Sequence, residues 1–304
     1  MRPLQNKYSD TPDCWQLKST QLKFGRVPVL MGILNVTPDS FSDGGNFLEK
    51  NAAVDQAMQL VDAGAGIIDV GGESTRPYSK PVSEPEELKR TVDIVETIAS
   101  NTPVPVSIDT SKAKVASECL AAGAEIINDI TGLEGDPKMA EVAIEFGAGV
   151  CAMHMQGTPQ TMQDQPAYKN VVEEIFEYLK GRKTFLLDQG LDPDRICLDP
   201  GIGFGKTHQH NLELVSNCGR FHDLNSPVLV GHSRKGFLAR VLDNQQCDRA
   251  AATAGVAIEL ARQAIQVIRV HDPGVVGQAI ALFDAVGGID GTTANLDETR
   301  FPRA

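Results

Sequence analysis

Long apolar runs are missing from these 304 residues, and none approaches the roughly 20 residues that a helix needs to cross a bilayer. The polar start, Met1 to Asp13, has neither the apolar centre of a secretory signal nor the arginine-rich pattern of a transit peptide. A cytoplasmic protein with no membrane partner is therefore expected. Basic charge is also scarce, with 28 Lys and Arg against 40 Asp and Glu, a net charge of −12. That balance argues against nucleic acid or an anionic membrane as a partner, so a small anionic ligand would have to be met by local basic residues. Close cysteine pairs are absent too. Cys14, Cys119, Cys151, Cys197, Cys218 and Cys247 are scattered, which leaves no zinc or redox motif and predicts reduced thiols.

What is present is a repeated junction. Gly64-Ala65-Gly66-Ile67-Ile68-Asp69 is echoed by Gly123-Ala124-Glu125-Ile126-Ile127-Asn128 and by Gly147-Ala148-Gly149-Val150-Cys151-Ala152. A helix stopped by glycine and followed at once by a short apolar strand is the signature of a βα unit. Strands are expected at 27–34, 66–70, 126–128, 196–198, 228–230 and 266–270, with others ending near Asp109 and His154. Helices are expected at 52–61, 84–99, 111–122, 171–187, 211–218, 249–261 and 275–286. Eight strands alternating with helices predict an α/β fold, a single (β/α)8 TIM barrel over residues 27–290. Residues 1–26, with Trp15 and a period-two pattern, predict a short hairpin covering one end, and 291–304 form a tail.

Chemistry is concentrated where the strands end. The first strand breaks into Asn35-Val36-Thr37-Pro38-Asp39-Ser40-Phe41-Ser42-Asp43-Gly44-Gly45, an oxygen-rich loop able to hold a hydrated cation or a phosphate-bearing substrate. Read alone it is as easily a surface turn, because Asx and hydroxyl side chains cap turns everywhere. The same event recurs at Gly71-Gly72-Glu73, Asp109, Asn128-Asp129, His154, Asp199, His232-Ser233 and His271-Asp272. In a barrel all these exits meet at the C-terminal face, the side on which barrel enzymes place their active sites.

Several exits carry longer motifs. The Asn35 loop, Gly71-Gly72-Glu73-Ser74-Thr75-Arg76-Pro77, Ser107-Ile108-Asp109-Thr110, Ile127-Asn128-Asp129, His154-Met155, Asp199-Pro200-Gly201-Ile202-Gly203-Phe204-Gly205-Lys206-Thr207, Ser233-Arg234-Lys235 and Arg269-Val270-His271-Asp272 together resemble the dihydropteroate synthase family, in the family's order. The resemblance runs from about Val27 to Val286. It implies a transferase of a pterinylmethyl group in folate biosynthesis. Such an enzyme condenses (7,8-dihydropterin-6-yl)methyl diphosphate with 4-aminobenzoate, is assisted by Mg2+, and is the target of sulfonamide inhibitors.

The resemblance also implies roles for residues. Asp109, Asn128, Asp199 and Lys235 bind the pterin, with Met153 as a packing surface, and a pterin's edge of donors and acceptors indeed requires carboxylates and an amide in an apolar cavity. Arg269, His271 and Thr75 face the diphosphate. Asn35 stands near the Mg2+, and Asp43 joins when the first loop closes. Phe41, Thr75, Arg76, Pro77 and Phe204 form the 4-aminobenzoate pocket. Catalysis falls to Asp109, Lys235 and Asp43 by charge stabilisation of an SN1-like cation, and neither a Ser-His-Asp nor a Cys-His pair is needed or evident. Asp69, in mid-strand, reads as a buried structural carboxylate. A homodimer is implied, through helices near the C-terminus.

Two glycine motifs lead elsewhere and fail. Gly205-Lys206-Thr207 ends like a P-loop, but Pro200 occupies the place of that motif's first glycine, and Gly201, Gly203 and Gly205 lack dinucleotide-binding spacing. Three positions depart from the family pattern: Tyr78 stands where glycine often follows Ser-Thr-Arg-Pro, Gly236 lacks a hydroxyl, and His232 is unexpected. The competing readings are a pterin-dependent methyltransferase and a non-catalytic pterin-binding homologue. The methyltransferase has no need of both Arg269 and His271. The homologue should have lost Asn35, Thr75 or Arg76.

Overall fold

Each inner strand is a run of apolar residues buried on both faces, a pattern stable only in a parallel sheet covered on its outer side. In the computed structural model, which describes residues 11–37 and 45–294 without the side chains of 45–49, these runs close on themselves. The inner strands are β3 (Val29–Asn35), β4 (Ile67–Gly71), β5 (Val106–Asp109), β6 (Ile126–Asp129), β7 (Gly149–Met153), β8 (Ile196–Asp199), β9 (Leu229–Val230) and β10 (Val267–Val270). They pair in parallel in the order β8-β7-β6-β5-β4-β3-β10-β9. The seam between β8 and β9 is spanned by a bridge from Leu198 to Val228, with the Leu198 amide donating to Pro227 O at 2.9 Å. The fold is a TIM barrel with a small antiparallel hairpin in front of it.

Outside lie α1 (Gly45–Asp62), α2 (Glu84–Asn101), α3 (Ala113–Ala121), α4 (Met139–Phe146), α5 (Val171–Asp188), α6 (His208–Ser216), α7 (Gly236–Val241), α8 (Arg249–Arg262) and α9 (Pro273–Ala285). Their starts follow from local chemistry. Asn170 accepts from the Glu173 amide, Asp248 from those of Ala250 and Ala251, and Asp272 from that of Val275. Asp272 is thus the N-terminal cap of α9. Helix α4 ends at Gly147 in the left-handed conformation, the stop expected from the repeated junction. Among the described residues no helix is long and apolar enough to cross a membrane.

The expected hairpin is present. The strands are β1 (Cys14–Gln16) and β2 (Gln21–Lys23), while 17–20 form the turn, closed by the Leu17 amide on Thr20 O. Leu17 therefore leaves the ladder and packs inward. With Trp15 it is fully buried against Met31, Ile67, Ile126, Cys151, Cys197, Leu229 and Val267, which lie toward the start of the strands. Trp15 Nε1 donates to Arg195 O at 2.9 Å, and Arg195 Nη1 returns a bond to Leu17 O at 2.6 Å. The hairpin closes the floor of the barrel at the end opposite the polar strand exits.

Candidate active site

The last residues of the strands converge as the periodicity requires. Asp109, Asn128 and Asp199 end or nearly end β5, β6 and β8, and all are buried. At their centre is a side chain that sequence reasoning left aside. Asp69 Oδ2 accepts from Asn128 Nδ2 at 3.1 Å and from Arg269 Nε at 2.5 Å. Arg269 Nη2 reaches Asp109 Oδ2 at 2.8 Å. One guanidinium thus joins two carboxylates, and one carboxylate joins the guanidinium to the amide. Asp69 is structural in the sense that it orients Asn128 and Arg269 directly, and Asp109 through Arg269. Its only sequence signal is a charged residue inside Ile-Ile-Asp-Val, a position at which the interior of a barrel must hold it paired.

Burial dominates the electrostatics. It pushes Asp109 up to about 7 against the pull of Arg269, because two carboxylates share one counter-charge. It lowers Lys235, at the start of α7, to about 7 against the attraction of Asp199. The Lys235 ammonium donates to Ile202 O and lies 4.4 Å from the centre of the Phe204 ring. Asp199 is raised by burial, while its Oδ1 accepts from the Gly201 amide at 2.7 Å. Asp129 turns away into its own loop, accepting from the Thr131 amide and hydroxyl at 2.8 and 2.7 Å.

Around His271 a basic cluster gathers in this acidic chain. His271 is pushed down to about 4, first by burial and then by the charges of Arg234, Arg269, Arg76 and Lys235. Ser233 Oγ lies 2.9 Å from its Nδ1 and accepts from its amide at 3.2 Å. The bonds that Arg269 makes to the two carboxylates use Nε and Nη2, leaving Nη1 for an anion. Arg269 is committed inward to the carboxylates, and its charge is also felt at His271, just past the end of β10.

The loop after β8 explains the glycines that fit no nucleotide motif. A Cβ on Gly201 would stand 1.9 Å from His154 O, and one on Gly205 would stand 2.5 Å from Gln156 O. Both glycines also have positive φ, so this loop can lie against the loop after β7 only with glycine at these positions. Lys206, buried, donates to Phe204 O at 2.8 Å and sits 3.0 Å from His154 Nδ1. Thr207 caps α6 in a capping box with His210. None of Gly205, Lys206 and Thr207 is arranged as a phosphate cradle.

Met153 is buried on β7 opposite Asp199 in the strand register, and Phe204 is half-buried. Thr75 is half-buried on the loop after β4, while Arg76, Pro77 and Tyr78 are exposed. Glu73 of that loop is tied, with the buried Glu87, to the Lys112 ammonium. Asn35 ends β3. Its Oδ1 and Asp109 Oδ2 each lie 3.7 Å from where a Cβ on Gly71 would be, so amide and carboxylate face one another across a missing side chain. Phe41 and Asp43 lie outside the described residues. His232 is fully buried and bonds Thr253 O at 2.9 Å, holding the end of β9 to α8.

A barrel mouth with a buried amide and carboxylate set beneath a basic cluster suits an enzyme of polar heterocycles that carry an anion. The pterin-binding enzyme family model matches residues 31–271. A dihydropteroate synthase of Escherichia coli is 44% identical over 85% of this chain and 91% of that protein. Among solved structures, the Yersinia pestis dihydropteroate synthase with a sulfonamide drug superposes with TM-score 0.83 at 40% identity, covering 90% of this chain and 98% of that one. The Xanthomonas albilineans dihydropteroate synthase with 4-aminobenzoic acid gives 0.84 at 35% identity over 91% and 98%. The same enzyme with 7,8-dihydropteroate gives 0.81 at 33% identity over 90% and 98%. The chain belongs to the pterin-binding enzymes and, within them, to the dihydropteroate synthases of folate biosynthesis.

Proposed function

We propose that this chain joins (7,8-dihydropterin-6-yl)methyl diphosphate to 4-aminobenzoate, releasing diphosphate and 7,8-dihydropteroate, with Asp109, Asn128 and Asp199 as the pterin set. The observation that carries the assignment is the buried chain Asn128–Asp69–Arg269–Asp109, which fixes donors and acceptors in an otherwise apolar barrel. A heterocycle with an aminopyrimidinone edge matches that alternation. Met153 supplies a flat apolar wall, and Lys235 with Asp199 supplies a charged edge. In solved relatives the ligands include 4-aminobenzoic acid, 7,8-dihydropteroate and a sulfonamide drug, and we extend the first two to this chain as substrate and product and the third as inhibitor.

The substrate carbon is conjugated with an electron-rich ring. Its C–O bond breaks with the electron pair leaving on diphosphate, and the arylamine lone pair then forms the C–N bond. The amine proton is lost to solvent or to a diphosphate oxygen. Asp109, ionised and fixed by Arg269, stabilises the cation formed in between. Arg269 Nη1, His271 and Thr75 receive the diphosphate. Burial first, and then the charges of Arg234, Arg269, Arg76 and Lys235, hold His271 neutral, so its imidazole meets the leaving group as a neutral hydrogen-bonding partner. Thr75, Arg76, Pro77 and Phe204, with Phe41, wall the arylamine. The Asn35 amide, with Asp43, is the oxygen donor type that a diphosphate-borne Mg2+ accepts, and that ion supplies Lewis-acid neutralisation of the leaving group's charge. A homodimer through α8 and α9 would cover Leu282 and Val286, exposed at 69% and 72%. We place the protein in the cytoplasm, where both substrates are soluble.

The test is release of diphosphate from the pterin substrate with Mg2+, with and without 4-aminobenzoate. Release coupled to dihydropteroate formation supports the assignment, and tight pterin binding without release by folded protein rejects it. The pH profile gives a second check. Below about 7 Asp109 gains a proton and loses the charge that stabilises the cation, and above about 7 Lys235 loses its proton. A plot of kcat/KM for the pterin substrate should therefore be a bell with both limbs near neutrality, each falling about tenfold per pH unit. Lys235→Arg should remove the alkaline limb, because a guanidinium stays charged. An alkaline limb that persists in that variant would assign it to another group.

A further inference from the structure

Resting on the arylamine pocket proposed above, we propose that the segment from Gln156 to Gln165, between β7 and α5, sets the width of that pocket, with Tyr78, Gln160 and Gln163 as positioning residues. The two walls of the pocket come from different loops, Thr75 to Pro77 after β4 and Phe204 after β8. Hydrogen bonds connect both walls to the same intervening segment. On one side the Tyr78 amide donates to Pro159 O at 3.0 Å, Gln160 Nε2 donates to Ser79 O at 3.1 Å, and the Tyr78 hydroxyl donates to Asp164 Oδ1 at 3.4 Å. On the other side Gln163 Nε2 donates to Gly203 O at 2.8 Å, next to Phe204. The segment itself is firm. Its turn is closed by the Thr161 and Met162 amides on Thr158 O at 2.9 and 2.7 Å, and Met162 is buried beneath it.

Tyr78 bears on this directly. It holds φ of 63°, a left-handed value that a residue with a Cβ keeps only where its surroundings impose it. It is also largely exposed, so packing does not impose that conformation. The imposing contacts are the bonds to Pro159 and Asp164. At a position where glycine would leave the loop free, Tyr78 makes the Thr75-Arg76-Pro77 wall an extension of the segment after β7. The distance between Pro77 and Phe204 is then set by Gln163 and Tyr78 and not by either loop alone. An arylamine is selected by a slot of fixed width, while the pterin set below on the strands is untouched.

The experiment uses the whole protein and the variants Gln163→Ala, Tyr78→Gly and their double. Each single substitution should raise the KM for 4-aminobenzoate about fivefold, the loss of roughly one hydrogen bond's worth of positioning, with kcat and the KM for the pterin substrate within about twofold. The double should be little worse than either single, because both act on one connection. Amide hydrogen exchange of residues 75–80 should quicken in Gln163→Ala, although Gln163 bonds none of them. Tyr78→Phe, which keeps the backbone bond, should recover most of the affinity. The proposal is overturned if the KM for 4-aminobenzoate is unchanged, if both KM values rise together, or if exchange at 75–80 is unaltered in Gln163→Ala. Absence of coupled product from the unaltered protein would instead reject the functional assignment, and this proposal with it, before any variant is read.

Discussion

Asp109→Asn should lower kcat by about 10³-fold while leaving the fold intact, a loss of roughly 4 kcal/mol of transition-state stabilisation. The amide keeps the shape of the carboxylate and can still accept from Arg269 Nη2, so the network in the barrel mouth persists. What disappears is the negative charge facing a carbon that becomes cationic as the diphosphate departs. Stability should move the other way. Burial raises the native Asp109 well above the usual carboxylate range. The ionised form is therefore disfavoured in the native state, and at pH 8, above that raised value, native Asp109 costs stability that the neutral amide does not. Single-turnover diphosphate release and thermal melts at pH 8 check both halves. A kcat within tenfold of the parent would remove Asp109 from the chemistry, and a lower Tm would mean that its charge is needed for folding.

Arg269→Met carries the largest expected effect on stability. The guanidinium is the counter-charge of two carboxylates, one of them fully buried. Removing one partner of such a network leaves uncompensated charge in the interior, which costs about 3–5 kcal/mol. At a few degrees per kcal/mol for a chain of this size, the Tm should fall by about 10 °C. Adding Asp69→Asn to the variant should restore part of the loss, since it deletes one orphaned charge. Differential scanning calorimetry of the three proteins decides the matter: a Tm within about 2 °C of the parent for Arg269→Met would show that the carboxylates do not depend on it. Affinity for the pterin diphosphate should fall as well, and Asp69→Asn should not rescue that loss, because the anion's partner is gone.

The barrel and its polar exits are legible in the sequence because both rest on local rules. A glycine stop followed by an apolar run ends in the same place whatever the neighbours, and the strand ends of a barrel gather at one face, although alternation sends some of their side chains elsewhere, as at Asp129. Asp109 and Asp199, which end β5 and β8, and Asn128, next to the end of β6, are readable for that reason, while Lys235, at the start of α7, is readable only from its motif. Asp69 is not, since a lone carboxylate within an apolar strand looks the same whether it orients a site or only fills the interior. Its role depends on Arg269, two hundred residues away. The connection from Tyr78 to Gly203 is illegible for a related reason, being made of backbone carbonyls and glutamines that carry no motif. Spacing does reject a P-loop at Gly205-Lys206-Thr207, but only the close approach of Gly201 to His154 O explains why glycines stand there. The hairpin is foreshadowed by its period-two pattern, but the turn at 17–20 that buries Leu17 beside Trp15 is not.

The hairpin fixes which end of the barrel is open to ligands. Trp15 and Leu17 pack over the first residues of the strands and side chains fill the interior above them, so among the described residues the polar strand ends are approached from the mouth. Asp109, Asn128 and Asp199 lie deep within it, while Arg76 and Pro77 stand at its rim. A molecule held at the rim blocks the way down, so the two substrates cannot arrive in either sequence with equal ease. Initial-rate and product-inhibition patterns should show compulsory order, the pterin diphosphate first and 4-aminobenzoate second. Excess 4-aminobenzoate should inhibit by occupying the passage ahead of its partner, as a cork does in a vessel with one neck.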